Sequence, residues 1–220
     1  MNITDLITKN TSHETNIELL NKEFFKFSNG TTHFDYHRTI PYNNFDLSGV
    51  ECEVGEFLYS LTRIMKPSRI LETGTSSGIS TAYFGLGLLH NNFGTITTID
   101  PGECKEANQL AGDLNINHLV TFTTKHAENY STEEAFDIAF LDSEPKLRFN
   151  EFIKFYDNVA PGGIILIHDL NRNMGSGNSS WENYESVLGG FIKDEKIQIF
   201  SFWTPRGLVM FQKPHPENNY

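Results

Sequence analysis

Cysteine is scarce in this chain. Cys52 and Cys104 are the two, and they lie in segments of different character. So small a number argues against a disulfide-stapled framework, and without a secretory apolar leader at the start the sequence predicts reduced thiols and a cytoplasmic protein. Long hydrophobic runs are missing too: no apolar stretch approaches the ~20 residues of a membrane-spanning helix, so no membrane partner is expected. Positive charge is in short supply, with 17 Lys and Arg against 28 Asp and Glu, a net charge of −11 and a pI near 5.1. No segment concentrates the basic residues, which argues against nucleic acid or an acidic lipid surface and favours a small substrate. Internal repeats and low-complexity tracts are absent.

What is present points to one sizeable core. A chain of 220 residues with 38% hydrophobic content is most simply a single compact domain over 51–220 with an N-terminal cap segment, 1–50. Phenylalanine, at 18 residues, predicts a bulky core, with an aromatic-lined pocket as the second reading. Residues 1–47 are rich in Asn, Thr and His, and helical periodicity shows only over 17–27 (Ile17, Leu20, Phe24, Phe27), so this part lacks a core of its own. His33, Tyr36, His37 and Tyr42 read there as surface-loop residues before substrate contacts.

The chain is organised around the stretch 68–81. Arg69 to Glu72 reads as a buried strand, a turn of small residues follows, and a helix begins near Ser77, with Ala82, Tyr83, Leu86 and Leu89 at helical spacing. Gly74 and Gly78 allow the backbone to approach a ligand closely. An amphipathic helix over 53–65, ended by Pro67, leads into this strand. Downstream, strands are predicted at 95–100, 119–124, 136–142 and 164–167, with helices at 103–114 and 149–159, the latter stopped by Ala160-Pro161-Gly162-Gly163. Residues 171–180, rich in Asn, Gly and Ser, are a candidate lid. A helix over 181–192 and a terminal hairpin (197–203 and 208–211) complete the pattern.

Alternating strands and helices define an α/β fold, a mostly parallel sheet with helices on both faces. Right-handed crossovers place every parallel strand's C-terminal end on one edge, which gathers Glu72, Asp100, the Ala127-Glu128 pair, Asp142 and His168-Asp169. A dinucleotide fingerprint wants G-x-G-x-x-G. Here Glu72 and Ser77 stand at its first and last positions, and the pattern is E-x-G-x-x-x-G. An acid at this place repels a pyrophosphate and attracts an ammonium group. Asp100, 28 residues beyond Glu72, is placed to accept from ribose hydroxyls. An amine near the glycine loop and a ribose near Asp100 describe S-adenosylmethionine better than a dinucleotide.

At these residues the sequence resembles the class I S-adenosylmethionine-dependent methyltransferases, and within them the small O-methyltransferases of the catechol and caffeoyl-coenzyme A types. The resemblance runs from about Val54 to Gln212 and rests on 54–58, 71–80, Ile99-Asp100, 136–142, and 160–163 with the strand to Asp169. It implies a Rossmann-like, doubly wound, seven-stranded sheet of order 3-2-1-4-5-7-6 with strand 7 antiparallel. It also implies that Gly74, Thr75, Ser76, Gly78 and Ser80 cradle the methionine part of the cofactor beside Glu72 and Asp142, that Asp100-Pro101 holds the ribose, and that Ala127 and Glu128 border the adenine. Relatives that use a divalent cation ligate it with acids matching Asp142 and Asp169, and all-oxygen ligation suits Mg²⁺. The amide that follows in those relatives is replaced by Leu170, and Asn171 comes one residue late. For the base, the resemblance offers Lys146, offset by Pro145, and the residues themselves offer His168, whose ordinary pKa of about 6.5 suits neutral pH. The function expected is methyl transfer to a hydroxyl of a small acceptor. A sugar-hydroxyl methyltransferase, suggested by His168-Asp169, and a non-catalytic cofactor-binding protein are the alternatives. The family is often dimeric.

Overall fold

The computed structural model describes residues 49–170, 181–202, 204 and 206–215, and in the N-terminal segment 32–34 and 41–43 through their backbone. The helix expected over 17–27, the residues Tyr36 and His37, and the candidate lid at 171–180 lie outside the described residues. Two short strands, β1 (Thr32–Phe34) and β2 (Pro41–Asn43), pair antiparallel and carry His33 opposite Tyr42.

The main sheet begins after α1 (Cys52–Met65). Its elements are β3 (Arg69–Thr73), α2 (Ile79–Asn91), β4 (Thr95–Asp100), α3 (Lys105–Asp113), β5 (Val120–Thr124), β6 (Phe136–Leu141), α4 (Arg148–Tyr156), β7 (Val159–His168), α5 (Trp181–Asp194), β8 (Gln198–Phe202) and β9 (Leu208–Gln212). The order across the sheet is β5-β4-β3-β6-β7-β9-β8. Counted from β3 this is 3-2-1-4-5-7-6. β9 runs antiparallel to both its neighbours and the five strands β3 to β7 run parallel.

Period-2 geometry sends neighbouring residues of a strand to opposite faces, and both faces are buried. Ile70, Ile138, Phe140, Ile164 and Leu166 pack with Leu58, Phe84 and Leu86 of α1 and α2. Leu71, Ala139, Leu141, Ile165 and Ile167 pack with Phe152 and Phe155 of α4 and Leu188 and Ile192 of α5. The phenylalanines serve this packing: Phe84, Phe136, Phe140, Phe152, Phe155 and Phe211 are among the largest fully buried side chains. Fully burying one such ring is worth about 2–3 kcal/mol.

The segment 160–163 departs from its expected role. It does not separate α4 from a short strand; β7 is continuous from Val159 to His168, and its pairing with β6 shifts register between Phe136 and Ile138. Gly162 sits at φ +79° there, which a glycine adopts without steric cost. Pro161, without an N–H to give, is accommodated where the ladder is interrupted.

Candidate active site

Because β3 to β7 are parallel, Thr73, Asp100, Thr124, Leu141 and His168 end on one edge of the sheet, where open α/β folds bind ligands. The glycine loop between β3 and α2 lies at this edge. Gly74 has φ +87°, and a Cβ there would fall 2.3 Å from the carbonyl oxygen of Asp142. Gly78 has φ +84°, and its Cβ would fall 2.6 Å from that of Ala107. Both glycines are therefore required by packing against the protein itself, at the end of β6 and on α3, a reason beyond the close ligand approach expected of them.

Alternation along β3 sends Glu72 toward α2 and Thr73 toward α4. Glu72 is fully buried and accepts from the Thr81 hydroxyl, while its other carboxylate oxygen has no hydrogen-bond partner. Burial pushes its pKa up to about 7, with only neighbouring hydroxyls opposing. Asp100 accepts from the Ser76 N–H at 3.1 Å and from the Gly102 N–H at 2.8 Å, which joins the glycine loop to the turn that contains Pro101. Thr75 and Thr98 share a hydroxyl contact of 2.6 Å beneath it. Ser80 is buried on the first turn of α2. Ala127 and Glu128 open a short 3₁₀ turn after β5, and the Lys154 ammonium donates to both their carbonyls. The sequence-predicted cofactor residues are thus brought to one edge.

The acids after β6 and β7 meet a different setting. Asp142 and Asp169 are bridged by one guanidinium nitrogen of Arg148, 3.0 Å from each. Arg148 also donates to the Ser143 carbonyl at 2.8 Å and the His168 carbonyl at 2.6 Å. Arg206, in the turn between β8 and β9, grips both oxygens of Asp169 and donates to the Gly49 carbonyl at 2.6 Å. Its backbone N–H reaches Glu51 at 3.2 Å. His168, wholly buried, has Nε2 at 2.7 Å from Glu51 and Nδ1 at 3.1 Å from Asp142. Burial alone would lower its pKa, but the facing charges of Asp142 and Asp169 and the bonds to Asp142 and Glu51 raise it to about 10.

Two expectations are corrected here. The geometry does not favour His168 as a general base: both ring nitrogens are engaged by carboxylates, Nε2 by Glu51 and Nδ1 by Asp142, and these acids push its pKa up. Lys146 is exposed and paired with Glu144 at 2.7 Å, which raises its pKa and keeps it protonated. The implied Mg²⁺ does not suit the donor set. Both oxygens of Asp169 and one of Asp142 already accept from cations, the third position is the buried apolar Leu170, and Asn171 lies outside the described residues. Asp142, His168 and Asp169 do present ligand atoms within 4.8 Å of one another, but with two guanidinium groups among them.

Four contributors escaped the sequence reading: Glu51, Arg148, Glu151 and Arg206. Glu51 stands at the N-cap of α1 yet makes no side-chain cap bond there, its carboxylate being engaged by His168 and Arg206 instead. Glu151 is buried on α4, accepts from the Thr73 hydroxyl at 2.8 Å, and is pushed up in pKa by burial.

The glycine loop and the strand-end acids share one sheet edge, and comparison with known proteins bears on the fold that places them there. Residues 71–170 match a family described as "Methyltransferase domain". The match runs from within β3 to just past the end of β7, 100 of the chain's 220 residues. A protein of Mycobacterium avium (strain 104) named "Putative O-methyltransferase" is 26% identical over 121 residues, 52% of this chain and 54% of that one. The chain thus spans about half the length of the curated relatives it matches. Among solved structures, an SAH-bound methyltransferase of Podospora anserina superposes with a TM-score of 0.66 at 19% identity, covering 92% of this chain and 96% of that one. An O-methyltransferase from Bacillus cereus in complex with SAH gives 0.64 at 19% identity, covering 90% of each chain. At these identities the likeness is one of fold. Among the described residues no helix is long and apolar enough to cross a membrane.

Proposed function

We propose that the chain is an S-adenosylmethionine-dependent O-methyltransferase that acts on the hydroxyl of a small acceptor. The observation that supports the reading is the joint placement of Glu72 and Asp100 around one glycine loop, a buried carboxyl with an oxygen that has no hydrogen-bond partner on one side and an acid at the end of β4 bonded to the loop backbone on the other. The cofactor supplies an electrophilic methyl on a sulfonium. The acceptor oxygen's lone pair forms the new O–C bond as the C–S bond breaks, its electrons returning to sulfur, and the acceptor proton leaves to a base or to water. The chain's share is to hold cofactor and acceptor in line and to exclude competing water.

Neither His168 nor Lys146 takes that proton, so the acceptor favoured is a hydroxyl acidic enough to ionise with little help, a phenol before a sugar. The sugar reading leaned on a His168-Asp169 base pair, which this setting of His168 does not favour. Mg²⁺ assistance is set aside in this reading, because guanidinium groups engage the acids that would bind it. Transfer of label from S-adenosylmethionine across a panel of phenols, catechols and sugars, with and without chelator, tests the reading. Labelled phenolic product that survives chelation supports it. Cofactor binding without transfer to any acceptor would favour a non-catalytic protein instead.

A further inference from the structure

Six ionisable groups among the described residues are linked by hydrogen bonds and ion pairs behind the sheet edge. Glu51, Asp142 and Asp169 supply the carboxylates, Arg148 and Arg206 the guanidinium groups that pair with Asp142 and Asp169, and the His168 ring bonds to Glu51 and Asp142. They come from five separate places in the chain, the start of α1, the ends of β6 and β7, the start of α4 and the turn before β9, and they converge on Asp142 and Asp169. Side-chain exposure is 4% for Arg148, 8% for Asp142, 15% for Asp169 and 19% for Arg206, so the pairs are screened from water as well as matched.

We propose that Arg148 and Arg206 are the built-in cation of this site: they occupy, with guanidinium, the place between Asp142 and Asp169 where a divalent ion would sit, and so make the protein indifferent to such ions. The inference deepens the proposed function and rests on it for the reaction, but not for the ion preference. Two carboxylates held together in a buried setting require positive charge. Arg148 provides it by bridging them, and Arg206 adds a fork over both oxygens of Asp169, a geometry that a planar guanidinium satisfies and an ammonium does not. A divalent ion placed between these acids would face two guanidinium groups in a poorly hydrated place, unless the arginines withdrew and broke their bonds to the carbonyls of Ser143, His168 and Gly49. One consequence concerns selection: without a chelating ion, nothing in this cluster prefers a vicinal diol over a single hydroxyl.

The test uses Mn²⁺ as a paramagnetic probe, read by the loss of the free-ion signal on addition of the full chain, with SAH affinity measured alongside. The wild-type protein should leave the signal unchanged. Arg206→Gln, which removes one positive charge and keeps a polar side chain, should bind Mn²⁺ at least about tenfold more tightly than wild type, because Asp169 is then under-compensated. Arg206→Lys, which keeps the charge without the fork, should bind Mn²⁺ more weakly than Arg206→Gln. Stoichiometric Mn²⁺ binding by the wild type that disappears in Asp169→Asn would overturn the proposal, and so would a folded Arg206→Gln with no gain. If that variant does not fold, the wild-type and Asp169→Asn measurements decide alone. SAH binding that persists while the Mn²⁺ result goes the wrong way would sink this inference and leave the proposed function standing.

Discussion

Replacing Glu51 by Gln is the most informative perturbation of the buried network. Glu51 and His168 are both fully buried and meet at 2.7 Å. At an effective dielectric constant near 20, such a pair carries roughly 6 kcal/mol of gross attraction. Desolvation of both groups offsets most of that, yet removing one partner from a formed pair leaves the other charge buried and short of a counter-ion, at a cost of about 3–5 kcal/mol. Gln keeps the volume and one acceptor oxygen, so the lower part of that range, about 3 kcal/mol, is expected for Glu51→Gln. Urea unfolding should show it as a lower midpoint at unchanged slope. A double-mutant cycle with His168→Gln should return a coupling of roughly 1.5–3 kcal/mol, since neutralising the imidazolium removes most of the need for the carboxylate. A loss under about 1 kcal/mol with no coupling would mean that His168 is neutral, and the ion-pair description of Glu51 and His168 would be wrong.

Gly74→Ala should cost roughly 2–4 kcal/mol, because the new methyl meets the Asp142 carbonyl oxygen at 2.3 Å on a backbone held at φ +87°. Gly112→Ala on α3, where a Cβ would meet no described atom within 4 Å beyond its chain neighbours and its own helix backbone, should be neutral or stabilise by up to about 1 kcal/mol, and denaturant titration of the pair separates the two. The raised pKa of Glu72, about 7, gives a pH signature for cofactor binding. An ammonium ligand favours the ionised carboxylate, so SAH affinity should rise with pH toward a plateau above about pH 7, by up to about tenfold per unit below it, and Glu72→Gln should flatten the profile. In the ligand-free protein the same shift has the opposite sense. An acid whose folded pKa lies above its ordinary 4.5 contributes most stability below that value and loses it as pH rises through about 7.

Most of the sheet was legible because its signals are local. Ile70 and Leu71 face opposite cores, and alternation of this kind, with the acids Glu72, Asp100, Asp142 and Asp169 closing successive strands, marks both the strands and the shared edge. The glycine loop was legible as a loop, but why it needs glycine was not, since Gly74 answers to Asp142 and Gly78 to Ala107, which are distant in the chain. The charged cluster was hidden for the same reason. His168 finds Glu51 across 117 residues, and Arg206 finds it across 155. No spacing rule predicts such pairs, and a histidine beside two acids reads equally as base or ligand until the third acid is seen. One trace existed at Glu51, an acid just before an amphipathic helix, but its natural reading is a helix cap.

The central claim is that the edge built from Glu72, the glycine loop and Asp100 holds S-adenosylmethionine. Isothermal titration of the full chain with SAH tests it most directly. The account predicts saturable binding of one SAH per chain, weakened by at least about tenfold in Asp100→Ala, which removes a ribose acceptor worth over 1 kcal/mol. A flat titration of correctly folded protein would contradict it.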